Sequence, residues 1–374
     1  MHSFIDQLIA VTEAPCVTVY LPVLAGINHQ TENAERLTRM LDDLAPRLQP
    51  YDLSAKGLSQ FLAPARAYIE QDLELGVPEG TVGLFLSRST FHAQLLPQEL
   101  TPLSVVGSRF YITPLLSFMN TLHYYVLAVS KNSAHFLEVN GSEITAKDIP
   151  GMPHSLAEAW EGTEHTDESL SFHSTGNGTV AFSGHSNAKD DAEIEAKVYL
   201  QKIAKSLHTL LHEQKLPLVF AGVEELFGIY RSVDASGRLL DSFVHGNPEQ
   251  MEAEELLKKA EPIVQEAAGK KRKELLESYG NLAGTGRTST DLAEILDAGL
   301  AGKVELLLTA DGAEQWGRFD TESGRKELHE SASDGGEELI GLAAQYTLQH
   351  RGQVMSVPPG EMPENKQVAA ILRQ

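Results

Sequence analysis

The chain has 374 residues, more than one hydrophobic core usually holds, so two or three domains are expected. With 42% hydrophobic and 22% charged residues it can bury real cores, and it is not a disordered chain. Its net charge of −22 repels phosphate backbones at long range. This excludes a nonspecific nucleic-acid binder, so any RNA contact must come from a local patch, and otherwise the partner is a protein.

The termini and the cysteine content predict a cytoplasmic protein. The first residues have neither a basic region nor an apolar run of the signal-peptide kind, and no stretch reaches the roughly 18 apolar residues that span a membrane. Cys16 is the single cysteine and lies in a run typical of a buried strand, which predicts a core thiol rather than a nucleophile. One cysteine excludes an internal disulfide framework.

Residues 1–117 alternate strand and helix patterns. Residues 17–21 are β-branched and aromatic and are followed by Pro22, which predicts a strand. A helix is predicted by apolar residues at helical spacing, namely Leu37, Met40, Leu41, Leu44 and Leu48. A second helix is predicted over residues 58–73, and residues 81–86 and 91–95 predict a hairpin.

The second segment, residues 118–240, opens with another strong hairpin pattern. Residues 124–129 and 134–139 flank a polar turn, and residues 218–223 predict a buried strand. Residues 161–190 are polar and glycine-containing, and we expect a long loop or an irregular hairpin there. The helix that follows should bury one face made of Leu200, Ile203, Leu207, Leu210 and Leu211.

The third segment, residues 241–374, alternates strands with helices. Asn247 and Pro248 predict the start of a charged helix that reaches about Tyr279, with Pro262 breaking or kinking it. Strands are predicted over residues 304–309, 353–357 and 368–372, and a helix over residues 337–348. The alternation predicts α/β organisation in the second and third segments, and α+β overall.

The glycine-rich residues 280–288 imitate a phosphate-binding loop without meeting its requirements. Arg287 stands where the lysine belongs, Asn281 stands where the first glycine belongs, and a helix rather than a strand should precede the loop. We interpret the run as a helix end followed by a turn into a helix capped by Thr288 or Thr290. An alternative is that Arg287 contacts an RNA phosphate.

The histidines and paired carboxylates give no strong catalytic signal. His165, His173 and His185 match no known metal-site spacing, which favours solvated loop residues. His208 and His212 have the spacing of a zinc-protease helix, but the catalytic glutamate is missing between them, so they should flank the buried stripe. The pair Glu224 and Glu225 is assigned to the solvated surface.

Several distributed motifs resemble the bacterial archaeo-eukaryotic release factor families. Residues 16–22 resemble their opening strand, and residues 124–132 and 218–231 resemble the first and closing strands of their middle domain. Residues 286–292 and 302–305 resemble the third domain. The resemblance implies three domains, over residues 1–117, 118–240 and 241–374, with a ribonuclease H-like middle domain and an α/β third domain that recruits partner proteins. The first domain does not resemble the codon-recognition domain of the release factors.

Peptide release factors of this superfamily carry Gly-Gly-Gln at the tip of a middle-domain loop, and this chain does not. The equivalent place, residues 184–187, reads Gly-His-Ser-Asn. The pair Gly335-Gly336 is followed by Glu337, and residues 351–353 read Arg-Gly-Gln in the third segment. Because the tripeptide positions water at the peptidyl-tRNA ester, its absence argues against termination-type hydrolysis, as in Pelota.

The resemblance therefore implies a Pelota-like, non-hydrolytic factor of ribosome rescue or dormancy, with no cofactor or metal. The loop 164–190 would point toward the peptidyl-transferase centre of the ribosome. The expected RNA contacts are His185, Ser186, Asn187, Lys189, Lys197 and Arg287. The implied partners are ribosomal RNA and ribosomal proteins, with a translational GTPase as a further candidate.

Two alternatives stay open. One is a metal-dependent nuclease or hydrolase that uses Asp190, Asp191 and His185 of the middle-domain loop, since paired carboxylates and histidine can bind a divalent metal. The other is a protein-interaction module unrelated to translation.

Overall fold

The computed structural model describes residues 2–24, 26, 29–71, 79–96, 98–119, 123–141, 143–161, 188–319, 326–329 and 336–373. The chain forms two compact units. Unit 1 consists of Met1–Asn120 together with Leu275–Gln374, and unit 2 is Thr121–Glu274. Within the described ranges, no helix is both long and apolar enough to cross a membrane.

The N-terminal part of unit 1 is a four-stranded antiparallel sheet with helices. Its elements are α1 (His2–Ala10), β1 (Cys16–Val23), α2 (Gln30–Asp42), α3 (Ala45–Leu48), α4 (Ala55–Gln71), β2 (Gly80–Leu86), β3 (Phe91–Leu96), β4 (Leu103–Gly107) and α5 (Thr113–Met119). The strand order is β3-β2-β1-β4. The predicted strand, the second helix and the hairpin are present, although Leu73 lies outside the described residues. The first predicted helix, whose face was expected to run from Leu37 to Leu48, is divided into α2 and α3.

Strand β1 is internal to this sheet and is buried on both faces. Val17, Val19 and Leu21 pack against the buried side chains of α2, α3 and α4, whereas Cys16 and Tyr20 face a second core. A strand buried on both faces has a continuous apolar sequence rather than an alternating one. Strand β4 pairs with β1 only as far as Tyr20, so Pro22 lies where β1 has a single neighbour.

Unit 2 is built around one five-stranded sheet. Its elements are β5 (His123–Val129), β6 (Ala134–Asn140), β7 (Glu143–Ala146), α6 (Leu156–Glu161), α7 (Ala188–Gln214), β8 (Leu218–Gly222), α8 (Glu224–Val233), β9 (Val244–His245) and the first part of α9 (Ala253–Leu282). The order is β7-β6-β5-β8-β9, in which β5, β6 and β7 form an antiparallel meander and β8 and β9 run parallel to β5. This topology agrees with the ribonuclease H-like middle domain expected from the sequence.

Two cores cover the two faces of this sheet. On one face, Leu127, Phe136 and Phe220 pack with apolar side chains of α6, α7 and α8. On the other face, Val126 and Val219 pack with α9 through Leu256, Ala260 and Val264. Unit 2 is therefore a three-layer α/β structure.

The C-terminal part of unit 1 contains two small sheets. Its elements are β10 (Thr288–Ser289), α10 (Leu292–Leu300), β11 (Val304–Ala310), β12 (Trp316–Phe319), β13 (Lys326–Leu328), β14 (Glu337–Glu338), α11 (Leu339–Gln349), β15 (Gln353–Val357) and β16 (Val368–Leu372). The sheet orders are β10-β16-β11-β15 and β13-β12-β14. Helix α11 follows β14 and leads to β15. Its first nine residues are buried, so it is a core helix rather than a surface helix.

One hydrophobic core joins the N-terminal and C-terminal parts of unit 1. Ile5, Tyr20 and Phe85 belong to the same buried cluster as Leu307 and Leu342. The segments 1–117 and 241–374, expected to be separate domains, thus contribute to a common core. The exact three-domain boundaries remain a prediction.

The long charged helix begins later than expected. The Asn247 side chain accepts a hydrogen bond from the Glu249 amide at 3.2 Å, but this caps only a single 3-10 turn, and Met251 is extended. Helix α9 starts at Ala253 and continues through Pro262, so of the expected break or kink at that proline the break is wrong. Pro262 lies on an exposed face of the helix, where water can satisfy the carbonyl that loses its donor.

Candidate functional site

The expected RNA-contacting tip precedes α7, whose buried stripe fixes the orientation of the helix. Ala196, Tyr199 and Leu200 begin this stripe, which continues through Ile203, Leu207 and Leu211. The predicted face is therefore confirmed, with Leu210 only partly buried. Lys197 is exposed between stripe residues, about 12 Å along the helix axis from position 189.

Most of the expected tip lies outside the described residues. His185, Ser186 and Asn187 are among the residues that the structure does not describe, and so are His165 and His173. Residues 189–191 belong to the first turn of α7, but the side chains of Lys189, Asp190 and Asp191 are outside the description. In the described parts of the chain, no group of three or more histidine, cysteine or acidic side chains could hold a metal ion.

Arg287, the expected contact of the third domain, is engaged within unit 1. Its guanidinium donates to the Leu372 carbonyl at 3.4 and 3.5 Å and lies 3.6 Å from the Glu305 carboxylate. The Arg287 carbonyl in turn accepts from the Leu372 amide at 2.8 Å. The side chain is about one third exposed, and its geometry ties down the final strand β16. Its contact with RNA remains a prediction.

The glycine-rich run is a helix end and turn, as interpreted from the sequence. Helix α9 ends at Leu282, and Gly284 and Gly286 have φ angles of 76° and 80°, which favour glycine. The expected cap residue is wrong, however. Asp291 caps α10 by accepting from the Ala293 amide at 2.7 Å, because Thr288 is in β10 and cannot also occupy the cap position.

The remaining candidates lie on the surface of unit 2. His208 and His212 are exposed beside the buried Leu207 and Leu211, with ring centroids 6.3 Å apart. Glu224 and Glu225 are exposed in the first turn of α8, where the helix dipole favours acidic side chains. These positions agree with the solvated interpretations.

A buried carboxyl group joins the two parts of unit 1 at the start of α11. Glu338 accepts hydrogen bonds from the Gln315 amide at 2.8 Å and the Ile340 amide at 3.0 Å, and also from the Gly341 amide at 2.5 Å. The Thr113 hydroxyl, from the N-terminal part, donates to the same carboxyl. Burial raises the pKa of Glu338 to about 7 despite these donors. This is a structural cap, because every polar partner of the carboxyl belongs to the fold.

One family of known proteins matches the middle of the chain. Residues 123–303 match the model of bacterial archaeo-eukaryotic release factor family 3. The resemblance inferred from the sequence is confirmed, and the matched range covers most of unit 2 and the first elements that follow it. No curated protein matches the chain.

Among solved structures, this chain is similar to several archaeal and yeast factors. Archaeal Pelota, in a model of its ribosome-bound state with ABCE1, is 11% identical with a TM-score of 0.43, and the alignment covers 100% of this chain and 94% of Pelota. Dom34 of S. cerevisiae, a termination-like factor that interacts with Hbs1, is 10% identical with a TM-score of 0.39, with coverage of 79% and 74%. The archaeal termination factor aRF1 is 13% identical with a TM-score of 0.25, with coverage of 100% and 96%.

One feature of the chain is not among the predicted site residues. Residues 270–273 read Lys-Lys-Arg-Lys and form its longest uninterrupted run of cations. The run is inside α9, within the family match. Acidic residues outnumber basic ones in residues 1–117, 118–240 and 241–374, so the net charge of a whole segment does not reveal this run of cations.

Proposed function

We propose that this protein is a cytoplasmic, non-hydrolytic translation factor that binds the ribosome in rescue or dormancy. The observation that carries the proposal is the family match over residues 123–303 in a chain that lacks Gly-Gly-Gln. The family provides the release-factor framework, and the missing tripeptide removes the group expected to position water. The chain would therefore occupy the ribosome without releasing a peptide.

The framework of unit 2 supports this proposal. Helix α7 has a continuous buried stripe from Ala196 to Leu211, which anchors it firmly on the sheet. The end that carries residues 188–191 directly follows residues 184–187, which are equivalent in sequence to the Gly-Gly-Gln position. A helix fixed in this way can hold its N-terminal end toward a partner, with Lys197 on an exposed face.

The first test is co-sedimentation of the tagged protein with ribosomes from growing and starved cells, at low and moderate salt. We expect co-migration with 70S particles and weaker binding by a variant that lacks residues 164–190. A point variant tests the same surface without a deletion. Lys197→Ala should weaken binding, whereas Lys205→Ala, an exposed lysine on the same helix, should not.

A peptide-release assay on ribosomes with peptidyl-tRNA tests the non-hydrolytic part of the proposal. We expect no release above the spontaneous rate. Release by the wild-type protein would overturn the non-hydrolytic assignment. Failure to sediment with ribosomes at any salt would overturn the proposal as a whole and favour an interaction module unrelated to translation.

A further inference from the structure

Helix α9 carries a concentrated positive charge in an otherwise acidic protein. Residues 270–273 place four cations in succession, whereas the chain as a whole has a net charge of −22. Successive residues of an α-helix are about 100° apart, so four in a row distribute charge around the helix rather than along one face. Such an array can be approached from several directions by an anionic partner.

The cations lie on a stretch of the helix that neither core buries. Val264 is the last residue of α9 in the core of unit 2, and Leu275 is the first to pack in the core of unit 1. Between them, residues 265–274 include no buried side chain. This stretch has no apolar face, so it does not have the character of a membrane-surface helix.

Lys270 and Lys271 are exposed and, over the ranges that the structure describes, neither takes part in an ion pair. Glu266 and Glu274 are four residues away from Lys270 on either side, at the spacing that allows helix ion pairs, yet neither pairs with it. On the same helix, Lys259 does pair with Glu255, at 2.8 Å. Arg272 and Lys273 already have partners, so Lys270 and Lys271 are the two cations of the run assigned to an outside partner.

We propose that Lys270 and Lys271 bind backbone phosphates of ribosomal RNA; this rests on the proposed function and adds a contact surface to it. The rest of the protein is acidic and disfavours RNA, so a local patch has to supply the attraction. Lysine ammonium groups on flexible stems suit phosphate contacts that position the protein without reading sequence. Neither lysine is among the RNA contacts expected from the sequence.

The test compares two double variants of the full-length chain that lose equal charge from one helix. Lys270→Ala with Lys271→Ala should weaken binding to purified ribosomes by about 50-fold at 0.1 M salt and lower the slope of log Kd against log salt by about two. Lys258→Ala with Lys259→Ala is the matched control and should change both quantities much less. Alanine preserves helix propensity, so α9 should remain helical by circular dichroism.

The outcomes separate this inference from the proposed function. If the wild type binds ribosomes and Lys270→Ala with Lys271→Ala leaves the affinity and salt slope unchanged, the inference is wrong and the proposed function stands. Equal weakening by the two double variants would also overturn it, because the effect would then follow net charge. Absence of wild-type binding would remove the proposed function itself.

Site-directed crosslinking identifies the class of partner. Cys16 is fully buried, and burial raises the pKa of its thiol to about 12, so wild-type protein should not take up a thiol-reactive photocrosslinker. Lys270→Cys provides one exposed attachment site, with Lys258→Cys as the control. We expect crosslinks from position 270 to ribosomal RNA. Crosslinks only to ribosomal proteins would overturn the assignment to phosphates.

Discussion

At the scale of single residues, Glu338 shows how one side chain can connect distant parts of a chain. Its carboxyl caps α11 and also accepts from Gln315 and Thr113, which precede it by 23 and 225 positions. No local pattern could predict this group, since it reads in the sequence as one of 52 acidic residues. The position of Arg287 is similar, because its partners Glu305 and Leu372 become neighbours only when the sheet has formed.

Glu338 predicts a pH dependence of stability. Its pKa rises from 4.5 in the unfolded chain to about 7 in the folded protein. The folded state therefore holds a proton that the unfolded state releases, so this contribution is present below about pH 4.5 and is lost as the pH rises through about 7. The free energy of unfolding should fall by about 3 kcal/mol across this window because of this residue.

Urea unfolding of the wild type and of Glu338→Gln across this pH range tests the prediction. Trp316 fluorescence in a Trp160→Phe background reports on unit 1, where Trp316 is buried. The difference in unfolding free energy between the two proteins should change with pH. Glu70 is exposed, so Glu70→Gln is the control and should not alter how the free energy of unfolding changes with pH. If Glu338→Gln also leaves this pH dependence unaltered, Glu338 is not its source.

At the scale of elements, sequence periodicity predicted those that bury a regular face. Strands β1, β5, β8 and β11 and the stripe of α7 were evident because their apolar residues follow helix or strand spacing. The two-residue strands β9, β10 and β14 were not predicted, since two residues carry no periodicity and pair only when tertiary structure brings them together. The start of α9 was misplaced because Asn247 and Pro248 suit a 3-10 turn equally well.

Two glycines six residues apart in unit 2 should respond oppositely to alanine. At Gly222 in β8, a Cβ atom would lie 2.7 Å from both the Phe220 ring and the Val129 carbonyl oxygen, so Gly222→Ala should destabilise the unit by about 1–3 kcal/mol. At the exposed Gly228 in α8, a Cβ atom would meet nothing within 4 Å. Gly228→Ala should stabilise it by about 0.5–1 kcal/mol through lower unfolded-chain entropy.

Hydrogen exchange of the β5 and β8 amides in increasing urea measures both effects within unit 2. We expect the midpoint for exchange to fall in Gly222→Ala and to rise in Gly228→Ala. A stabilising Gly222→Ala would show that β5 and β8 can separate enough to admit a methyl group. A destabilising Gly228→Ala would show that this helical turn needs the freedom of glycine.

At the scale of the whole molecule, unit 1 is discontinuous in sequence. Local patterns predicted an N-terminal domain ending at residue 117, because they show which residues are buried but not which elements bury them. The common core of Cys16 and Tyr20 with Leu307 and Leu342 could not be read from either segment alone. For the candidate site, the sequence predicted only its position in the chain, at residues 184–187, and not its structure, because these residues follow no helix or strand periodicity.

The single cysteine provides a test of this shared core. Cys16 and Trp316 belong to the same buried cluster, although 300 positions separate them. Modification of Cys16 by a thiol reagent in increasing urea should follow the same transition as Trp316 fluorescence in the Trp160→Phe background. If Cys16 becomes reactive at clearly lower urea than the Trp316 transition, the N-terminal part unfolds independently, as the sequence-based boundary at residue 117 implies.

The division of unit 1 into two stretches also orders the events of its own synthesis. When the first 120 residues have left the exit tunnel, several buried partners of Ile5, Tyr20 and Phe85 have not yet been translated. Unit 2 is then completed as a continuous segment and can fold cotranslationally before α11 emerges. In a nascent chain arrested before residue 339, unit 2 would therefore be folded while the N-terminal part of unit 1 still exposes apolar side chains. Those side chains would stay exposed next to the translating ribosome until the rest of unit 1 is made.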